Sequence, residues 1–204
     1  VGHSLGGMLL YAYLQTFEAD EIASGVTLGA PPGFEGLRVR VPKAALFLAK
    51  RAPRLCGTLI RGNVPLYRLL RRAPRFFPTN IKNLHPALNT GHFVTLLEDP
   101  LPRVVEQLAD WASQQQWRVD KGTVDVQEGL KDIRLPLLML YGICDRYTPP
   151  ELVTRFFDSL AAEEKEMRIL SRENGCVEDY NHCDLPFGKN AEREVFEVIA
   201  SWLE

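Results

Sequence analysis

The chain has 204 residues, 46% of them hydrophobic and 25% charged, with a formal net charge of −2. That balance suits one globular domain with a sizeable core, and no apolar run reaches the ~18 residues that would suggest a membrane span. Four cysteines, Cys56, Cys144, Cys176 and Cys183, lack any C-x-x-C pairing, which argues against a metal site or a dense disulfide framework. One disulfide among the last three stays open. Free thiols in a reducing cytosol are the favoured reading, a slight lean toward the cytoplasm.

The chain opens Val1-Gly2-His3-Ser4-Leu5-Gly6-Gly7 without an initiating Met. Any signal peptide is expected upstream. Gly6 to Phe17 reads as a helix, apolar on most faces and therefore expected to be well buried. Ile22 to Leu28 reads as a short strand, ended by the breakers Gly29-Ala30-Pro31-Pro32-Gly33.

From Phe34 to Ile133 the pattern changes. Short helical stretches, Lys43 to Arg51 and Pro65 to Arg72, are interrupted by prolines at 42, 53, 65, 74, 78 and 86. Leu101 to Gln116 is a better helix, with Val104, Leu108 and Trp111 at helical spacing. The segment 34–133 reads as an inserted helical cap, leaving 1–33 and 134–204 as an α/β core. Leu135 to Tyr141 is a continuous apolar run of the kind found in parallel strands covered on both faces. Pro149 to Leu160 reads as a helix and Glu166 to Leu170 as a strand. Asn190 to Leu203 reads as a closing amphipathic helix that faces inward through Val195, Phe196, Ile199 and Leu203. Strand and helix alternate at both ends, which argues for an α/β sheet.

Gly2-His3-Ser4-Leu5-Gly6 fits G-x-S-x-G, in which a serine sits on a tight strand-to-helix turn. The glycines are expected to remove collisions two residues either side of the serine. The N–H of Leu5, at the helix start, is placed to meet a developing oxyanion. Such a serine needs a base and an acid that orients the base. Of the four histidines, His3 is inside the turn, and His85 and His92 lie in the cap. His182 lies in the loop Glu178 to Asp184, between the last strand and the last helix, where this chemistry would need it. Asp145 stands just past the buried strand, at the edge where groups gather in parallel sheets. Asp179 and Asp184 are its competitors.

These residues resemble the α/β-hydrolase superfamily, in the esterase and lipase branch that also resembles acid lipases and polyhydroxyalkanoate synthases. The matching stretches are GHSLGG at 2–7, LPLLMLYGICDRYTPP at 135–150 and DYNHCDLPFGKNAEREVFEVIASWL at 179–203. The resemblance implies Ser4 as nucleophile, Asp145 as acid and His182 as base, with no metal or organic cofactor. The polymer synthases use Cys where this chain has Ser, which favours hydrolysis. The resemblance also implies that opening strands and a loop with the second oxyanion N–H precede Val1. On that expectation this stretch alone would be inactive.

Residues 36–82 hold twelve Lys and Arg and no Asp or Glu, against twelve basic and 26 acidic side chains elsewhere. Interleaved with leucines and phenylalanines, this charge could meet an anionic lipid surface or draw in an acidic substrate. It could equally be the wet face of cap helices. No nucleic-acid motif accompanies it. The expected activity is hydrolysis of a carboxylic ester with a substantial acyl chain. The alternatives are an acyltransferase or thioesterase with the same three groups, or a non-catalytic fragment of the fold.

Overall fold

A computed structural model describes residues 1–17, 20–34, 42–69, 79–88 and 90–204. Its main sheet has four parallel strands in the order β1 (Gly2–His3), β2 (Gly25–Leu28), β5 (Leu137–Gly142) and β6 (Lys165–Leu170). The expected α/β sheet is present; β2, β5 and β6 lie within a few residues of their readings, while β1 adds a short strand that the sequence reading does not include. All six residues of β5 are buried. The reason is the two-residue period of a strand. Leu137, Met139 and Tyr141 enter one core with Met8, Tyr11, Trp117 and Phe156. Leu138 and Leu140 enter the other with Val26, Leu28, Tyr180, Leu185 and Val195.

Helix α1 (Leu5–Thr16) leaves β1 after the single residue Ser4. Tyr11 anchors it, its hydroxyl 3.0 Å from Thr27 Oγ1 and its ring edge-on to Phe156. The helix is less buried than its composition suggested. Only Gly7, Met8 and Tyr11 are buried, while Leu9 is 63% exposed, Tyr13 42% and Phe17 61%. Leu5, Leu9, Tyr13 and Phe17 recur every four residues, so they form one stripe on the side turned away from β2.

Helix α2 (Lys43–Arg51) has the expected bounds. Helix α3 (Pro53–Leu69) does not: Pro53 begins it and Pro65 lies inside it. Proline costs nothing at a first helical position, where no N–H bond is made. Composition alone therefore mistook Pro65 for the start. Arg71, Arg72 and Arg75 lie outside the described residues. Helix α4 (Thr90–Leu96) and helix α5 (Pro102–Gln114) follow. Two cations of the basic stretch reach acids beyond it, Lys50 to Glu106 at 2.6 Å and Arg61 to Asp99 at 2.8 Å.

A small hairpin, β3 (Arg118–Val119) with β4 (Val124–Asp125), leads to the short α6 (Val126–Gly129), capped by the Asp125 side chain. Trp117, Val126, Leu130 and Ile133 all sit in the same core as Leu137. Thus 117–133, read from the sequence as part of the cap, pack under the sheet.

Helix α7 (Pro150–Ser159) buries Val153 and Phe156. The closing helix contains a π-helical turn, Glu192–Phe196, before α9 (Glu197–Leu203). The extra residue in that turn shifts the phase of the helix. Its inward residues are Val195, Val198, Ile199 and Trp202, while Phe196 and Leu203 are 46% and 51% exposed. The four cysteines are unpaired. Among the described residues no helix is long and apolar enough to cross a membrane.

Close packing of α1 on β2 makes a test. A Cβ on Gly7 would stand 2.4 Å from Ala30 Cβ and 3.1 Å from Gly2 O. Gly7→Ala should cost about 1–3 kcal/mol through overpacking, read as a lowered denaturant midpoint with unchanged slope. Undiminished stability would mean that the helix can back away from the sheet.

Candidate active site

Ser4 stands between β1 and α1 with φ 54° and ψ −119°, a backbone state that residues other than glycine rarely adopt. Its N–H donates to Leu28 O and its C=O accepts from Gly7 and Met8, so the sheet on one side and the helix on the other hold the strained turn. A Cβ on Gly2 would lie 2.6 Å from the backbone of Gly6 and Gly7, which explains that glycine. The same reason was expected at Gly6, but a Cβ there meets nothing within 4 Å; Gly7 is the position that needs the space. Leu5 is the first residue of α1, and its N–H has no acceptor within the helix.

Asp145 follows β5 and His182 follows β6, the neighbouring strand, so parallel pairing brings their loops to one edge. The loops lock together where Cys144 N–H donates to Tyr180 O, and a Cβ on Gly142 would be 2.6 Å from that same oxygen. Asp145 is 2% exposed and His182 6%. His182 Nδ1 lies 2.7 Å from Asp145 Oδ2. His182 Nε2 lies 2.8 Å from Ser4 Oγ. A carboxylate can only accept, so Nδ1 carries the proton and Nε2 is left free to accept from Ser4. The three residues singled out in the sequence therefore form one continuous series.

Several supporting groups were not assigned a role from the sequence. Thr148 Oγ1 donates to Asp145 Oδ2 at 2.6 Å, and Tyr147 N–H donates to Oδ1 at 2.8 Å. The D-x-x-T spacing was visible in Asp145-Arg146-Tyr147-Thr148, although its use depends on the loop geometry. Gly29, with φ +54°, ends β2 beneath the pair. A Cβ there would be 3.0 Å from His182 Nδ1 and 3.2 Å from Asp145 Oδ2. His3 Nε2 donates to the carbonyl of His182 at 3.1 Å. Burial first, then repulsion by the neighbouring His182, lowers its pKa, so His3 is a neutral prop for the loop. The Tyr147 ring meets the imidazole edge-on at 5.0 Å. His85 and His92 are exposed.

The competing acids do other work. Asp179 Oδ1 accepts from Arg172 N–H. Asp184 is fully buried and accepts from Asn80 N–H, Asn83 Nδ2 and Asn181 N–H. Cys144 and Cys183 flank Asp145 and His182 in sequence, and burial pushes both thiols up, so neither is poised as a thiolate. Among the described residues no group of three or more His, Cys, Asp or Glu is arranged to hold a metal ion.

The family model described as serine aminopeptidase, S33 (Hydrolase_4) matches residues 1–172. The chain belongs to this α/β-hydrolase family. No curated protein sequence matches the α/β-hydrolase chain significantly. Solved structures share its fold. An esterase from Exiguobacterium antarcticum superposes with a TM-score of 0.58 at 18% identity, over 99% of this chain and 65% of that one. A monoacylglycerol lipase from Paleococcus ferrophilus gives 0.51 at 20%, over 99% and 66%. A thermophilic esterase from Thermogutta terrifontis gives 0.58 at 18%, over 99% and 62%. The chain thus spans less than two thirds of the length of each.

The buried Asp184 gives this hydrolase-family chain a pH signature. Burial raises its pKa to about 6, against the pull of its three N–H donors. The unfolded carboxyl titrates near the ordinary aspartate value of 3.8. Between these two values the folded state holds a proton that the unfolded state has released, so stability rises as pH falls from above 6 toward 4. Compared with Asp184→Asn, the unsubstituted protein should gain thermal stability between pH 7.5 and 5. A relative loss over that interval would contradict the assignment.

Proposed function

We propose that the protein is a serine hydrolase that cleaves carboxylic esters through Ser4, His182 and Asp145. The observation that carries this reading is the unbroken hydrogen-bonded series at 2.8 and 2.7 Å, buried and ending on a strained serine at a helix start. Ser4 Oγ attacks the ester carbonyl carbon while its proton passes to His182 Nε2. The Leu5 N–H donates to the oxyanion that forms. When the tetrahedral intermediate collapses, the alcohol leaves with the proton from Nε2, and the acyl group stays on Ser4. Water then attacks the acyl carbon, Nε2 takes its proton, and collapse returns that proton to Ser4 as the acid departs. Asp145 holds the imidazole in the Nδ1–H form and stabilises its cation. Thr148 on Oδ2 and Tyr147 N–H on Oδ1 hold both of its oxygens, so the carboxylate stays fixed.

The esterase and lipase names of the structural neighbours support an ester substrate, while the description of the family supports peptide bonds as a second reading. We take residues 34–116 as the covering insertion, rooted on the core through 117–133. Exposed Phe47, Leu55, Leu59 and Ile60 beside Arg51 and Arg54 suit a bulky apolar or lipid substrate approaching from that side. Turnover of p-nitrophenyl esters set against aminoacyl p-nitroanilides in the full-length protein separates the two readings. Turnover of the anilide alone would refute the ester assignment.

Ser4→Ala should lower ester turnover by about 10⁴-fold or more and abolish labelling by a fluorophosphonate. Labelling that persists at full stoichiometry would place the nucleophile elsewhere. His182→Ala should be nearly as damaging, whereas His85→Ala and His92→Ala should retain most activity. Asp145→Asn should cost roughly 10³–10⁴-fold because the amide favours the wrong imidazole tautomer. Asp179→Asn should cost far less, and a reversal of that order would move the acid.

A further inference from the structure

We propose that Asp184 is a positioning residue that couples the segment 79–85, which returns from the covering insertion, to the loop that carries His182. The inference rests on the reading of Ser4 and His182 given above. Asp184 lies two residues past His182, at the start of the short helix α8 (Asp184–Phe187). Oδ1 accepts from Asn80 N–H at 2.8 Å, and Oδ2 accepts from Asn83 Nδ2 and from Asn181 N–H, both at 3.0 Å. One side chain thus holds two points of the returning segment and the residue immediately before His182. Asn181 passes the constraint on, since its Oδ1 accepts from His182 N–H at 2.8 Å.

Further hydrogen bonds lace the same two segments on either side of the carboxylate. Asn80 Nδ2 donates to Asp179 O, Lys189 N–H to Asn83 O, and His85 N–H to Phe187 O. Leu84 and Gly188 form an isolated antiparallel bridge. Gly188 eases this approach, because a Cβ there would lie 3.3 Å from Asn83 Nδ2 as well as 2.8 Å from Asp184 O. The carboxylate accepts from both segments at once. Without it, three N–H donors, two of them buried, lose their partner together, a cost that loosens the loop even where the rest of the lacing survives. The base would then spend less time 2.8 Å from Ser4 Oγ, although Asp184 touches neither substrate nor imidazole.

The test compares the full-length protein with its Asp184→Asn and Asn83→Ala variants. One readout is steady-state hydrolysis of a short p-nitrophenyl ester. The other is the far-downfield proton resonance of the His182 Nδ1–H shared with Asp145. Asp184→Asn turns one acceptor into an NH₂ group facing donors. Its kcat should fall roughly 10- to 100-fold from misplacement of the base. KM should shift by less than about threefold, because ground-state binding is untouched. The resonance should broaden or vanish while the thermal melt stays cooperative. Asn83→Ala cuts one tie to the returning segment, and its kcat should fall about three- to tenfold. If Asp184→Asn does not fold, Asn83→Ala decides. A kcat within about twofold of the unsubstituted protein, with a sharp resonance, would overturn the proposal. If the unsubstituted protein shows the resonance yet hydrolyses no ester, the functional reading fails, while the fate of the resonance in the variants still tests the coupling.

Discussion

The bond from His182 Nδ1 to Asp145 Oδ2 has to be made where water is almost excluded, and that requirement shapes everything around it. A carboxylate at 2% exposure is costly to bury unless its lone pairs are used. Here the imidazole, the Thr148 hydroxyl and the Tyr147 N–H use them. The imidazole in turn comes close to the end of β2, which is possible because Gly29 leaves no side chain in its way. Adjacent parallel strands deliver the two loops to the same edge, and the fully buried β5 gives that edge a rigid base. The two cores divided by the residues of β5 therefore serve the site indirectly, by fixing where Asp145 begins.

Strain on Ser4 is the complementary part. A positive φ on a serine persists only if its surroundings over-determine it. The main-chain bonds to Leu28, Gly7 and Met8 do this, and the packing of Gly2 and Gly7 leaves the turn little room to relax. The serine is presented on a tense and well-supported corner, while His182 is held on a loop laced by side chains.

What could be read from the sequence was local. G-x-S-x-G names its own turn, and the run at 135–141 names a covered strand. Asp145 followed from its place at the strand end, and His182 from its loop. Features that depend on partners far along the chain were hidden. The role of Asp184 requires Asn80 and Asn83, about a hundred residues earlier, to arrive beside it. Trp117 gave no sign of belonging to the core, since its neighbours are polar. The π turn at Glu192–Phe196 cannot be seen in a 3.6-residue pattern, so the inward face of the last helix was assigned one step out of phase. Pro65 misled for a related reason: a proline is read as a boundary, although a helix can run through it.

The separation of the proposed nucleophile from its base has a consequence for the birth of the protein. Ser4 and His182 lie 178 residues apart in the chain. At the usual pace of translation, roughly 10 to 35 s pass between their synthesis. Through that interval the serine is an ordinary alcohol, with no base to take its proton. On the proposed reading, the nascent chain cannot cleave esters while it is still tethered to the ribosome and unable to close its core. The proposed reactivity arrives only with the segment that completes the second core, because His182 and the helix that carries Val195 are made together. A chain broken off early is thereby harmless, and folding itself acts as the safety catch.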